Sequence, residues 1–409
     1  MTTQTVASRR RPTDGWGVVD MLGTLPYDWR LWAASHGARP VFSMIRTHAY
    51  CRVRCSIKGR LNMPATTMQA AVLEQRGREG LRVRAFPKPT PTPGEALLRV
   101  HAAGLNRVNL YMRDSGAGIT HELPLVQGVE AAGVVAEAPA DCGLRVGQKA
   151  VLFSNAFCGR CRYCLAGDQT LCLRANIMGE HRHGTFAEYI AMPATCFLPL
   201  PDDADLVSAG ALMVAHLTAW RMVFGKRPLR AGETVLIVGI GSGVAVACLQ
   251  YAVMAGARAI VTSSSDDKLA RALALGASAG INYGTDQVSR RVLELTDGEG
   301  ADMVLESSGE KSWAESLRSL RRGGRLVTCG ATTGSNPGAD LQRIFIRQLE
   351  IYGSTGGSLD EFRHVVALFA RGRIAPVIDR TFSLDRINEA YQVLERGGQF
   401  GKLVVTMPA

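Results

Sequence analysis

Four of the ten cysteines lie within the fifteen-residue stretch CGRCRYCLAGDQTLC. They are Cys158, Cys161, Cys164 and Cys172, and their spacing is C-x2-C-x2-C-x7-C. Thiolates this close in sequence are typical of a metal site. Four thiolates fill a tetrahedral shell and leave no open position for water or substrate, so this spacing predicts a metal that holds a loop in shape.

A glycine-rich turn in VLIVGIGSGVAVACLQ is the second group that could do chemistry. It lies between a predicted buried strand and a predicted apolar helix, where glycines let the backbone approach a pyrophosphate at the helix N-terminus. The general G-x-G-x-x-G/A spacing is not met, because Val244 stands where the last small residue would fall. The predicted cofactor-binding residues of this turn are Gly239, Gly241, Ser242, Gly243 and Val244.

The end of the next strand distinguishes NAD from NADP. NAD enzymes usually carry an acidic residue there, which binds the ribose 2′-hydroxyl. Here the hydroxyl residues 262–265 leave room for a 2′-phosphate, and Lys268 or Arg271 would supply positive charge. We therefore predict NADP(H), contacted by Ser263, Ser264 and Lys268. The alternative is that Asp266 or Asp267, one of which we expect to cap the following helix, reaches the ribose and that the enzyme uses NAD.

The elements that must position these groups fall into two patterns. From Met68 to about Leu200, short alternating strands such as EALLRVHAAGL are separated by Gly and Pro, which indicates an irregular, mostly β domain. After Pro201, near-continuous apolar strands alternate with helices, which predicts a doubly wound parallel sheet. The closing stretch GKLVVTM reads as a strand that returns to the first domain. The predicted fold class is α/β.

Composition excludes several classes of protein. The net charge is +11, but residues 1–67 carry nine Arg and one Lys against three Asp, a net charge of +7 that leaves +4 for the rest. That remainder has no basic stripe with interleaved aromatic residues, so we expect no nucleic-acid partner. No run of eighteen apolar residues occurs, so we expect no membrane span. Ten sparse cysteines, four of them clustered, suggest a reducing compartment and a cytoplasmic location.

The motifs together resemble the medium-chain dehydrogenase/reductase superfamily of zinc alcohol dehydrogenases and quinone reductases. The resemblance covers Met68 to Ala409 and rests on GVEAAGVV, the four-cysteine loop, GTFAEYIAMPA, VAHLTAW, GIGSGVA, GGRLVTCGATTG and GKLVV. It implies one structural zinc in the loop 158–172 and a homodimer or homotetramer. It also implies a GroES-like catalytic domain interrupted by a Rossmann domain. We divide the chain into a poorly ordered extension (1–67), the catalytic domain (68–214), the cofactor domain (215–347) and a return segment (348–409).

The resemblance also implies where a second, catalytic zinc would be held in the alcohol dehydrogenases. The matching positions carry Asn106, Val129 and Val214, and valine cannot coordinate a metal. The histidines that might substitute stand outside these positions; they are His121, His181, His183 and His216. We therefore expect no catalytic zinc.

The stretch GLNRVNLYMRDSG instead resembles the zinc-free quinone reductases, in which an Asn and a Tyr line the nicotinamide pocket. The matching residues are Asn106 and Tyr111, which we predict to be catalytic hydrogen-bond donors. Thr218 is a predicted cofactor contact by the same resemblance, and Glu130 a structural hydrogen-bonding residue.

These features predict an NADPH-dependent reductase of small molecules, either quinones or α,β-unsaturated carbonyls, including enoyl thioesters. One alternative is a zinc-type alcohol dehydrogenase with a different ligand set. A second is a non-catalytic NADPH-binding protein.

Overall fold

The structure, a computed structural model, describes residues 66–116 and 122–408. The extension predicted for residues 1–67 lies outside the described residues except for its last two. The first strand begins at Thr67, beside the predicted domain start at Met68.

The first half of the described chain forms the predicted mostly β domain. Its ten strands are β1 (Thr67–Leu73), β2 (Leu81–Pro87), β3 (Glu95–Leu105), β4 (Leu125–Val126), β5 (Ala132–Glu137), β6 (Lys149–Leu152), β7 (Asn155–Ala156), β8 (Asn176–Ile177), β9 (Tyr189–Pro193) and β10 (Phe197–Pro199). Its helices are short: α1 (Arg107–Asp114), α2 (Arg162–Leu165), α3 (Leu206–Ala209) and α4 (Met213–Trp220). The stretch from Asp203 to Phe224, whose spacing is helical throughout, is thus broken around Gly210 into two helices.

The second half forms a six-stranded parallel sheet. Its strands are β11 (Thr234–Ile237), β12 (Arg258–Ser263), β13 (Ala279–Asn282), β14 (Ala301–Glu306), β15 (Leu320–Thr328) and β16 (Glu350–Gly353), in the order β13-β12-β11-β14-β15-β16. The helices are α5 (Gly243–Met254), α6 (Asp266–Ala274), α7 (Val288–Leu295), α8 (Glu310–Ser319) and α9 (Leu341–Arg347). This is the doubly wound order in which ligands bind beyond the carboxyl ends of the central strands.

The chain then returns to the β domain. The returning elements are α10 (Leu359–Ala370), β17 (Ile378–Ser383), α11 (Ile387–Arg396) and β18 (Lys402–Thr406). Strand β18 pairs antiparallel with β3, in a seven-stranded sheet of order β10-β6-β5-β3-β18-β17 with β9 also on β3. The strand expected at GKLVVTM therefore forms, and it lies in the first domain.

Two local details differ from the sequence analysis. Helix α6 is capped by Ser265, whose side chain accepts from Lys268 N–H, while Asp266 and Asp267 lie in the first turn. Serine is as good a cap as Asp, so composition does not separate the two. The parallel sheet also ends at Gly353, beyond the predicted domain boundary at 347, because β16 still pairs with β15. Across the described ranges, no helix has the length and apolarity to cross a membrane.

Candidate active site

The four cysteines converge as their spacing predicts. Their sulfur atoms all lie within 4.8 Å of one another, with Cys161 and Cys164 at 3.5 Å and Cys158 and Cys164 at 3.9 Å. Sulfur atoms in a tetrahedral zinc–thiolate site are about 3.8 Å apart, given a Zn–S distance of about 2.3 Å. The cysteine loop 158–172 therefore fits one zinc with a closed shell.

Backbone amides favour the thiolate form in this loop. The N–H groups of Cys164 and Leu173 lower the pKa of Cys161 to about 6. The sulfur of Cys172 accepts from the N–H groups of Cys158 and Arg174. Hydrogen bonds to sulfur stabilise a bound thiolate, so the loop is prepared for a metal by its own backbone.

The cysteine loop is fastened to the rest of the chain by Arg221. This side chain, 9% exposed, donates to both carboxylate oxygens of Asp168 in the loop, at 2.8 and 2.9 Å. It also donates to Glu361, in the first turn of α10, at 2.8 Å. Beside this bridge, Gln169 accepts from the N–H of Leu359. The loop is thus held against α10 by a buried, charge-assisted link.

The glycine turn has the open geometry that a phosphate needs. Gly239 and Gly241 have φ of 72° and 122°, which favour glycine, and a Cβ at Gly239 would meet nothing within 4 Å. Ser242 caps α5 by accepting from Ala245 N–H, so the N-terminus of this twelve-residue helix faces the turn. The residues present fit a dinucleotide pyrophosphate. Val244 is half-buried in the first turn of the helix.

A segment from the end of the chain crosses this turn. We call residues 397–401 the strap. Gly401 N–H donates to Gly241 at 2.9 Å, and Lys268 Nζ donates to the carbonyl of Gly397 at 2.6 Å. The guanidinium of Arg271 lies 4.3 Å from the ring centre of Phe400. The strap therefore joins the β domain to the glycine turn and to α6.

The end of β12, beside the turn, carries hydroxyl side chains. Ser263 accepts from Ser265 N–H, which leaves its hydroxyl proton for an acceptor. The carboxylate of Asp266 instead accepts from Asn282. The ammonium of Lys268 lies 3.4 Å from the position that a Cβ at Gly241 would take. Burial lowers the pKa of Lys268, opposed by the charge of Asp379.

A buried polar cluster lies on the other side of the glycine turn. Lys402 Nζ donates to Glu130 at 2.6 Å, with the two side chains 4% and 0% exposed. It also donates to the carbonyl of Leu105 at 3.1 Å and to Asn106 Oδ1. The second oxygen of Glu130 accepts from Val214 N–H at 2.7 Å. We call Asn106, Glu130 and Lys402, with the carbonyl of Leu105, the lysine cluster.

Packing places the lysine cluster next to the glycine turn. A Cβ at Gly243 would lie 2.6 Å from Cδ of Lys402, so only glycine fits there. A Cβ at Gly104 would lie 2.2 Å from Oε1 of Glu130, so Gly104 is also restricted to glycine. The stem of Lys402 thus lies against the first residue of α5.

The predicted catalytic donors are in different situations. The two amide hydrogens of Asn106 are engaged, one by Glu130 at 2.7 Å and one by the carbonyl of Gly104 at 3.2 Å. Tyr111 lies on α1 with 37% of the residue exposed, and burial of its ring raises the pKa of its hydroxyl. Thr218, 8% exposed, lies one turn after Val214 on α4 and so shares its helix face.

The histidines do not form a ligand set within the described residues. His216 is 2% exposed beside Tyr251, and burial, with the charge of Lys402, lowers its pKa to about 3. His183 packs edge-on against Phe86, and His181 accepts from Ile177 N–H. His121 lies outside the described residues. In the described part of the chain, the four cysteines are the one converging group of three or more potential metal ligands.

Comparisons with known proteins agree with this architecture. The model of the alcohol dehydrogenase GroES-like domain matches residues 92–202, and that of zinc-binding dehydrogenases matches residues 243–371. A zinc-type alcohol dehydrogenase-like protein of Schizosaccharomyces pombe is 33% identical over 323 residues, which cover 76% of this chain and 91% of the relative. The chain belongs to the zinc-type medium-chain dehydrogenase/reductase superfamily. It is an NAD(P)-dependent oxidoreductase.

Solved structures of this superfamily share the fold. An NAD-dependent alcohol dehydrogenase is 38% identical with a TM-score of 0.80, over 83% of this chain and 100% of its own. A cobalt- and zinc-bound thermostable alcohol dehydrogenase from Pyrobaculum aerophilum is 30% identical with a TM-score of 0.76, over 83% and 100% of the two chains. The GroES-like domain and the Rossmann sheet described above are therefore those of the superfamily.

This member of the superfamily does not fit a catalytic zinc at the matching positions. The side-chain amide of Asn106 and the backbone N–H of Val214 both donate to the carboxylate of Glu130. Val129 directly precedes Glu130, so the three positions lie near one another. They offer an amide and two aliphatic side chains, which are not zinc ligands in proteins. The sequence analysis did not single out Lys402, the residue at the centre. A lysine that opens an otherwise apolar strand was the available signal.

We predict that Arg221→Met loosens the cysteine loop. It breaks a buried link to Asp168 and Glu361, which costs about 3 kcal/mol, so the melting temperature should fall by more than about 5 °C. Zinc release to a chelating dye should become faster. The control is Arg290→Met, which removes a pair whose arginine side chain is 76% exposed and should change neither quantity measurably. Unchanged zinc release in Arg221→Met would contradict the assignment of Arg221 as the fastener of the loop.

Proposed function

We propose that the chain is an NADPH-dependent oxidoreductase that transfers hydride to a quinone or an α,β-unsaturated carbonyl without a catalytic metal. The observation that carries this proposal is that the positions matching the catalytic-zinc ligands carry Asn106, Val129 and Val214. Beside them, the buried ammonium of Lys402 donates all three of its protons to chain oxygens. The site therefore offers no open coordination position to an alcohol oxygen.

Such a site suits an acceptor that is already polarised. Quinones and conjugated carbonyls take a hydride at carbon while the charge develops on a distant oxygen, so they need position and a hydrogen-bond donor more than a Lewis acid. NADPH supplies the hydride when it is bound. The residues proposed to hold it are Thr218, Gly239, Gly241, Ser242, Gly243, Val244, Ser263, Ser264 and Lys268.

We assign the two predicted catalytic residues different tasks. Because both amide hydrogens of Asn106 are engaged, Asn106 positions Glu130 and Lys402. Tyr111 is the proton donor to the developing enolate or quinol oxygen. Burial raises its pKa above the ordinary tyrosine value, so its hydroxyl stays protonated and able to donate at neutral pH.

The preference for NADPH is supported by the strand end. The carboxylate of Asp266 is turned to Asn282, and the groups beside the turn are two serine hydroxyls and the Lys268 ammonium. Hydroxyls with a nearby cation suit a 2′-phosphate better than they suit a free 2′-hydroxyl.

The second candidate function is a zinc-type alcohol dehydrogenase. It is favoured by the relatives, since those named above are described as alcohol dehydrogenases or as alcohol dehydrogenase-like, and one is described as NAD-dependent. It requires a zinc held by a different ligand set, because the matching positions carry Asn106, Val129 and Val214.

We also propose a homodimer or homotetramer. Among the described residues, strand β16 is an edge of the parallel sheet, and on α9, which precedes it, Leu341 and Phe345 are 70% and 68% exposed on one helix face. A free sheet edge beside exposed apolar side chains is typical of an association surface. Sedimentation of the purified chain as a monomer would contradict this.

A cytoplasmic location is supported by the eight cysteines of the described residues, none of which is in a disulfide.

The function is tested by acceptor preference. Purified protein should oxidise NADPH with naphthoquinones, simple enones or enoyl thioesters, and should reduce saturated aldehydes or oxidise primary alcohols at least about a hundredfold more slowly, because these substrates need a Lewis acid. Steady-state assays give kcat/KM for each substrate, and the ratio of the value for enones or quinones to that for aldehydes or alcohols is the quantity compared. Faster turnover of alcohols than of enones would favour the second candidate function.

Tyr111→Phe should lower kcat for enone reduction by about a hundredfold, since the proton donor is lost while the shape of the site is kept. The KM for NADPH should stay within about twofold of the natural value, because Tyr111 holds no part of the cofactor in this account. The control is Tyr189→Phe on β9, whose ring lies under Lys88, and it should leave kcat unchanged. A kcat unaffected by Tyr111→Phe would remove Tyr111 from the mechanism.

Lys268→Met tests the cofactor assignment. It should raise the KM for NADPH about tenfold and leave the KM for NADH nearly unchanged, because a charge-assisted hydrogen bond to the 2′-phosphate is lost. The matched control is Lys311→Met at the exposed start of α8, which should change neither value. Equal losses with both cofactors, or a natural preference for NADH, would contradict the assignment.

A further inference from the structure

Glu180 carries a carboxyl group that the chain itself does not use. It lies shortly after β8 and is half-buried, and its side chain makes no hydrogen bond or ion pair with any other described residue. The next two side chains are engaged elsewhere: His181 accepts from Ile177 N–H, and Arg182 donates to Glu95 at 2.7 Å. The carboxyl group of Glu180 is therefore open to a partner from outside the chain.

The turn that carries Glu180 is pressed against one of the three positions that match zinc ligands. We call residues 178–184 the glutamate turn. A Cβ at Gly179 would lie 2.0 Å from the carbonyl oxygen of Gly128 and 3.2 Å from Cγ1 of Val129. Glu180 thus directly follows a residue that is in contact with Val129.

The glutamate turn is also tied to a second of these positions. Met178 N–H donates to the carbonyl of Ser154 at 2.9 Å, and the hydroxyl of Ser154 donates to Sδ of Met213 at 3.6 Å. Met213 directly precedes Val214. The glutamate turn therefore borders the region where positions 129 and 214 approach each other, which is where we place the acceptor.

A second carboxylate of this region is already engaged. One oxygen of Glu130 accepts from Lys402 and Asn106, and the other accepts from Val214 N–H. Glu180 has no such donors. Burial raises its pKa, and no charge in the described part of the chain opposes the shift. An unpaired, partly buried carboxyl group beside a reaction site is typical of a general acid.

We propose that Glu180 is a catalytic acid that protonates the α-carbon of an α,β-unsaturated carbonyl. This inference rests on the proposed function and adds to it the residue that completes the reduction of an enone. Tyr111 serves the oxygen of the acceptor in that function, and a separate group must serve the carbon.

The step adds one proton to the hydride already transferred. Once the β-carbon has taken the hydride, the two electrons of the former double bond are shared by the α-carbon and the carbonyl oxygen, where Tyr111 donates its proton. The carboxyl proton of Glu180 then forms the new C–H bond at the α-carbon. The carbonyl re-forms, and the oxygen returns its proton to Tyr111. Because Glu180 is half-buried, its carboxylate regains a proton from water.

The role of Glu180 depends on the class of acceptor. A saturated ketone or thioester carries a new hydrogen on its α-carbon. A hydroquinone carries both of its new hydrogens on oxygen, so its formation needs no acid at carbon. The proposal therefore separates enones from quinones within one active site, and a residue that only supports the fold does not.

Glu180→Gln tests the proposal, because the amide keeps the shape of the side chain and loses the acid. The loss of kcat for enone reduction should exceed the loss of kcat for naphthoquinone reduction by at least about tenfold. The matched control is Glu299→Gln, at an exposed carboxylate in the loop after α7, which should leave both values unchanged. Equal melting temperatures of the three proteins show that the comparison is made on folded enzyme.

The pH dependence and a second variant separate chemistry from shape. In the natural chain, kcat for enones should fall as the pH rises through the pKa of Glu180, because the acid must be protonated to act. This decrease should be absent from Glu180→Gln. Glu180→Asp, which keeps an acid on a shorter side chain, should retain at least about a tenth of the natural kcat for enones.

The outcomes distinguish this proposal from the proposed function. Equal losses with enones and quinones in Glu180→Gln, or an unchanged kcat for enones, would overturn the role of Glu180 alone. A natural chain that reduces quinones but no enone would also overturn that role and leave the proposed function standing. A natural chain that reduces neither acceptor would contradict both.

Discussion

The buried ion pair between Lys402 and Glu130 is the interaction on which the rest of the site depends. It joins residues that are 272 positions apart in the chain. Removing water from both charges is costly, and the cost is offset only because each charge is also hydrogen-bonded, by Asn106, Leu105 and Val214. Taking away one partner of such a pair costs about 3–5 kcal/mol, since the other charge stays buried. The pair therefore fixes the return of the last strand to the first domain.

Scaffold and chemistry are separated in this molecule. The cysteine loop fits a closed metal site that stabilises the conformation of the loop. Arg221 links this loop to α10 through its ion pairs with Asp168 and Glu361. The glycine turn and the lysine cluster lie on either side of Gly243, where α5 begins. A metal in this account stabilises the fold, and a lysine provides the charge inside the site.

Sequence patterns predict the features that depend on the spacing of nearby residues. The cysteine spacing predicts the converging sulfur atoms, and the strand–turn–helix context of Gly239 to Gly243 predicts a turn with positive φ at two glycines. The final apolar run predicts a strand, which the structure shows as β18. These features depend on residues that are neighbours in the chain.

The remaining features depend on contacts between distant segments. Asn106 reads as a free donor from its neighbours, but its amide hydrogens are taken by Gly104 and Glu130 once β3 is folded against the following loop. Lys402 meets Asn106 across 296 residues, so no local pattern places them together. Ser265 rather than Asp266 caps α6, a choice between equally good caps that only the path of the chain decides. The parallel sheet also continues past the predicted boundary at residue 347. Strand β16 is short, and only its pairing with β15, a tertiary contact, makes it part of the sheet.

Zinc per subunit in the purified natural chain, counted by mass spectrometry of the metal, tests the central claim most directly. One zinc per subunit, lost together with the fold when the cysteine loop is stripped by a chelator, is the result predicted by a closed structural site and by an active site without catalytic-zinc ligands. Two zincs per subunit, one of them removable without unfolding, would contradict the account. A second metal would then be held by ligands other than the side chains at 106, 129 and 214, and alcohol oxidation would become the function to assay.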